Sequence, residues 1–183
     1  LQAWLELELA RTPFSVRDVE QTYRWSHGAL ELSLRLDRID QFADGRLAII
    51  DYKSGAARID PKSSWMRPRP VDLQLPFYAA VLAHEDSRVA ALILARLHAK
   101  QVEVKGLADG DYGFEGLGSL SDWPAFSDYS WDRLMDEWRQ AIEGLAQEYA
   151  MGVANNQLAR PADLDYCDVL PFLRLGEEVK HVV

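Results

Sequence analysis

Four apolar residues, Leu47, Ala48, Ile49 and Ile50, run without a break into Asp51, Tyr52 and Lys53. Short apolar runs rich in branched residues read as largely buried strands, and a buried strand needs a sheet around it and layers packed on it. Side chains two apart on a strand point to one face, so Asp51 and Lys53 share theirs. At a surface they would be an ordinary ion pair worth little. At the end of a buried strand they need a partner or a metal.

The rest of the chain supplies that setting. Residues 1–10 are helix formers with Trp4, Leu5 and Leu1 on one face, and Pro13 ends the helix. Residues 14–26 and 28–42 alternate as strands about Gly28, and 46–53 is the strand described above. Residues 54–70, with three prolines, read as a loop, 71–86 as a helix with Pro76 in its first turn or so, and 88–99 as a strongly apolar strand. Five glycines in 106–128 suggest an irregular loop. Trp131, Leu134, Trp138, Ile142 and Leu145 mark one face of a long helix over 130–151. This order implies an α/β or α+β sandwich on a mixed sheet.

Composition narrows the classes. The 183 residues, 48% hydrophobic and 27% charged, suit one globular domain with a sizeable core. No apolar run reaches the roughly 18 residues of a membrane span. The single cysteine, Cys167, excludes a disulfide framework or an all-cysteine metal site within the chain and points to a reduced, cytoplasmic setting. The start at Leu1 suggests a piece of a longer protein. A net charge of −9 argues globally against nucleic acid, yet residues 33–70 carry eight basic side chains against five aspartates, while 103–148 carry eleven acidic against three basic. His27, His84, His98 and His181 have no ligand spacing, and no glycine-rich phosphate loop is present.

A second carboxylate comes from the preceding strand. A three-residue turn over 43–45 with Gly45 left-handed sets Asp37 opposite Asp51; a two-residue Asp44-Gly45 turn brings Asp40 instead. Turn arithmetic alone does not choose, and the Asp44-Gly45 pair slightly favours the two-residue turn. Either way two carboxylates and a lysine converge, a set for a hard divalent cation such as Mg²⁺, or Mn²⁺.

The segments GALELSLRLDRID, DGRLAIIDYKSG and LQLPFYAA, in this order, resemble the RecB-type branch of the PD-(D/E)XK nuclease superfamily, especially the C-terminal nuclease domains of AddB-like helicase-nuclease subunits. The resemblance covers about residues 14–100. It implies a restriction-endonuclease-like core, a mixed central sheet flanked by helices. It implies Asp37 and Asp51 as metal ligands, with the Tyr52 backbone carbonyl, and Lys53 as the catalytic lysine. The three-residue turn follows. Gln74 and Tyr78, four apart on one helix face, match the third motif and would contact substrate or brace the site, while Arg38 and Asp40 would tie the hairpin together.

The chain departs from the pattern in three places. Leu34 replaces the glycine three before Asp37. The further family ligand has no clear counterpart; Glu6 and Glu8 lie on the first helix and Glu20, the candidate carried forward, on the first strand. The closing cysteines of cluster-bearing relatives fall on Leu164, Cys167 and Leu173, so no iron–sulfur cluster is expected. A nuclease domain over 1–160 with a C-terminal extension over 161–183 is the expected organisation. Trp65, Arg67 and Arg69 in the basic loop are candidates to stack on and clamp DNA. The resemblance thus implies a metal-dependent deoxyribonuclease of exonuclease type in DNA repair or recombination, with helicase partners and no membrane. A nuclease-like scaffold retained for DNA binding is the second reading.

Overall fold

The computed structural model describes residues 2–54, 60–67, 71–83, 88–98, 101–153 and Leu164. Helix α1 (Gln2–Ala10) leads into strands β1 (Phe14–His27), β2 (Leu30–Phe42) and β3 (Leu47–Lys53). Helices α2 (Pro61–Ser64) and α3 (Gln74–Ala83) follow, then β4 (Val89–His98), β5 (Gln101–Ala108), the short β6 (Leu117–Gly118), two single 3₁₀ turns and helix α4 (Trp131–Ala150). The six strands form one mixed sheet in sequential order; β3 and β4 are parallel, as are β5 and β6, and the remaining pairs are antiparallel.

The apolar run in β3 behaves as its composition requires. Leu47, Ala48, Ile49 and Ile50 are each at most 1% exposed, because both faces of the sheet are covered. On one face Leu47, Ile49 and Leu92 pack beneath α3 and α4, through Leu75, Ala79, Leu82, Leu134 and Trp138. On the other, Ala48, Ile50 and Ile93 lie with Trp4 of α1 and with Tyr112 and Phe114. Helix α4 starts at Ser130, whose hydroxyl accepts the Arg133 N–H at 3.1 Å. Of its expected apolar stripe, Trp131, Leu134, Trp138 and Ile142 are buried, with Ala146 in place of Leu145, and Trp131 donates its indole N–H to the Val89 carbonyl at 2.7 Å.

Four expectations shift. Leu5 is 54% exposed, so α1 seats on Trp4. Helix α3 begins at Gln74 rather than Val71, although Pro76 does fall in its first turn. The loop after Ser54 contains the one-turn α2, begun by Asp60, whose carboxylate accepts the Ser63 N–H. The segment from Gly106 is not all irregular: β5 runs through Gly106, where a Cβ would stand 2.0 Å from the Leu92 carbonyl oxygen. That glycine marks a close approach of backbones within the sheet, not a turn. Cys167 and, apart from Leu164, the 161–183 extension lie outside the described residues. Among the described residues no helix is long and apolar enough to cross a membrane.

Candidate active site

The β2–β3 turn decides the register. The Phe42 N–H bonds the Arg46 carbonyl at 2.9 Å, and the Gly45 N–H bonds the Phe42 carbonyl at 3.0 Å. Gly45 has φ +84°, in the left-handed region that glycine enters without strain. The turn therefore has three residues, 43–45, and pairs Arg38 with Ile50 and Ile39 with Ile49. Continuing that ladder sets Asp37 opposite Asp51. Only residues 38–41 of β2 pair with β3, while the longer β1–β2 ribbon diverges to pack on α3 and α4. The two aspartates stand where the strands part.

Polar contacts close around this fork. The Tyr52 N–H donates to Asp37 Oδ2 at 2.8 Å. Lys53 Nζ lies 2.8 Å from Asp51 Oδ2 and donates to Gln74 Oε1 at 2.8 Å. Gln74 Nε2 donates to the Tyr78 hydroxyl at 3.1 Å, and Tyr78 donates to the Arg35 carbonyl at 2.8 Å. Lys53 is thus tied through α3 back to β2. The carboxylate of Asp51 is 3% exposed, and its Oδ2 faces the Lys53 ammonium at 2.8 Å. Burial raises the pKa of Asp51, and the charges of Asp37 and Asp72 push the same way against the pull of Lys53. A buried carboxylate with a raised pKa and a second carboxylate beside it form an all-oxygen donor set that fits a hard divalent cation.

Asp72 was not singled out by the sequence. It is exposed at the entrance to α3, and no spacing rule links it to Asp51. Glu20 falls between the pairs Val19–Arg38 and Gln21–Leu36, across the ribbon from Asp37, with φ +54°. Its exposed carboxylate is ion-paired with Arg35. Among the described residues no group of three or more His, Cys, Asp or Glu side chains gathers as a metal cluster.

The basic loop differs from expectation. Trp65 is 1% exposed, its ring edge-on to Trp138 and its carbonyl accepting the Trp138 indole N–H, so it is a core residue and not a stacking platform. Arg67 is 7% exposed, which leaves it little surface for a DNA strand. Arg69 lies outside the described residues, as do His84 and His181. His27 stacks on Trp25.

A mixed sheet flanked by helices, with two aspartates and a lysine where its antiparallel hairpin parts, is the restriction-endonuclease-like arrangement. Over residues 1–171 the chain matches the family model of the PD-(D/E)XK nuclease superfamily, and it belongs to that superfamily. Members are typically nucleases and generally use divalent metal ions. One similar solved structure, described as a crystal structure of SSO0001, is 17% identical, with a TM-score of 0.40 over 90% of this chain and 63% of that chain. The chain therefore spans less than two thirds of that relative. No curated protein matches it.

Proposed function

We propose that the chain is a Mg²⁺- or Mn²⁺-dependent deoxyribonuclease domain, RecB/AddB-like, that hydrolyses phosphodiesters as an exonuclease in DNA repair or recombination within a larger helicase-associated protein. The observation that carries the reading is the placement of Asp37 and the buried Asp51 close together beside Lys53.

Asp37 and Asp51 would hold the metal. The Tyr52 carbonyl supports them: in an extended strand a residue's N–H and C=O face the same side, and the Tyr52 N–H faces Asp37. A bound divalent ion lowers the pKa of a coordinated water and offsets charge on the phosphate. Lys53 has three N–H donors; Gln74 takes one and the Asp51 carboxylate engages another, and the third can orient the attacking water and stabilise the charge developing on the phosphate oxygens. Gln74 fixes where that ammonium sits, and Tyr78 fixes Gln74. Phosphate contacts carry no base readout, so low sequence specificity is expected.

Cleavage of labelled single- and double-stranded DNA with Mg²⁺ or Mn²⁺ tests this. Cutting that needs metal and falls at least about 10²-fold in Lys53→Ala and Asp51→Asn is the expected result. Metal-independent cutting, or cutting that survives both substitutions, would overturn it. The −9 charge favours the second reading, a nuclease-like DNA-binding scaffold. DNA binding without cleavage under every metal condition would select it.

A further inference from the structure

Behind the site, on the face covered by α1, a second polar cluster surrounds Tyr52. Arg38 uses all five of its N–H groups there. Nε and Nη2 donate to the two Asp40 oxygens at 2.7 and 3.1 Å, Nη2 and Nη1 to the two Glu8 oxygens at 2.9 and 3.3 Å, and Nη1 to the Tyr52 hydroxyl at 3.1 Å. Trp4 stands edge-on to the Tyr52 ring, with centroids 5.6 Å apart. Tyr52 is therefore held at both ends. Its phenol is fixed behind the sheet, and its N–H is bonded to Asp37 in front. It sits between Asp51 and Lys53, whose side chains alternate to the opposite face. β3 has no ladder partner in β2 beyond Ile50, so Tyr52 lies where the strand is least restrained on that side.

We propose that Arg38 is a positioning residue. By holding the Tyr52 hydroxyl from the far face it sets the roll of the last residues of β3, keeps the Tyr52 N–H on Asp37, and so holds the two carboxylates face to face. Glu8 makes α1 part of this device. The consequence for activity rests on the nuclease reading; the effect on the Tyr52–Asp37 hydrogen bond does not. A purely structural Arg38 would glue α1 to the sheet and leave that bond alone.

The full 183-residue chain carrying Tyr52→Phe or Arg38→Met separates these cases. Amide exchange of Tyr52, followed by NMR, should quicken about three- to tenfold while that of Ile49 in the same strand stays unchanged. Mn²⁺ affinity should fall by a similar factor, and kcat with it, at unchanged KM for DNA. Wild-type exchange at Tyr52 in both variants would overturn the proposal, as would equal quickening along the whole strand. If Arg38→Met fails to fold, Tyr52→Phe, which removes one oxygen and keeps the ring on Trp4, decides alone. A wild-type chain that neither binds Mn²⁺ nor cuts DNA defeats the nuclease reading, and exchange at Tyr52 still decides the role of Arg38.

Discussion

The two faces of the β2–β3 hairpin carry polar clusters built on opposite principles. Behind it, Arg11 and Arg38 balance Asp40 and Glu8. Asp40 is fully buried, and the Arg11 side chain has no exposure. The guanidinium nitrogens of Arg11 that lack hydrogen-bond partners lie over ring faces, with the group 3.3 Å from the Phe14 centroid and 4.9 Å from that of Phe114. In front, Asp51 pairs with Lys53, while Asp37 and Asp72 add negative charge. The rear cluster is neutral and closed; the front is anionic. Burial alone does not tell a structural charge from a functional one. The sum of charges does.

The comparison breaks most visibly at Asp40. Asp40→Ala leaves the Arg11 charge buried without its carboxylate, which should cost about 3–5 kcal/mol of folding stability. Urea unfolding measures it. A loss under about 1 kcal/mol would mean that the rear cluster is not the closed network described, since removal of a mere surface ion pair costs about that much.

Asp51→Asn should have the opposite sign. Without metal, Asp51 is a strained carboxylate, so the amide should stabilise the apo chain by about 1 kcal/mol at neutral pH. Because the folded pKa is raised above the ordinary one, the folded chain binds more protons than the unfolded chain as pH falls through the carboxylate range. The contribution of Asp51 to stability then rises as pH falls, and the advantage of the Asn variant closes. Mn²⁺ should raise the melting temperature of the wild type only. Destabilisation by Asp51→Asn across the whole pH range would make the front cluster structural too.

The reasons why part of this was legible are physical. Period and apolarity expose β3, α4 and the lysine two residues past Asp51, because they depend on neighbours in sequence. The hairpin register is open between two turns until a family resemblance favours one, and the Phe42–Arg46 hydrogen bond with the strand pairing beyond it settles it in the structure. The five contacts of Arg38 join residues 8, 38, 40 and 52; strand period links 38 with 40, and no local rule reaches 8 or 52. Trp65 shows the same limit: a tryptophan in a basic, proline-containing loop fits a surface ligand or a packed residue, and the loop folds back and buries it against Trp138. Gly106 opens a stretch that reads as an irregular loop, since its constraint is a neighbouring strand's carbonyl.

The smallest effect concerns Glu20, the remaining candidate for a third ligand. Its backbone lies across the ribbon from Asp37, but its carboxylate is held by Arg35 in an exposed pair worth about 0–1 kcal/mol. If the carboxylate turns to the metal, Arg35 competes for it. Arg35→Ala should then tighten Mn²⁺ binding about two- to threefold, and Glu20→Gln should weaken it by a similar factor. Those signs alone do not establish ligation, because removing a cation near the site favours metal at a distance and removing an anion disfavours it. The double variant separates the two. Under ligation the gain from Arg35→Ala vanishes once Glu20 is Gln, since the competition was for that carboxylate; under a field effect it persists undiminished. Additivity of the two substitutions would leave the donor set at Asp37, Asp51 and the Tyr52 carbonyl.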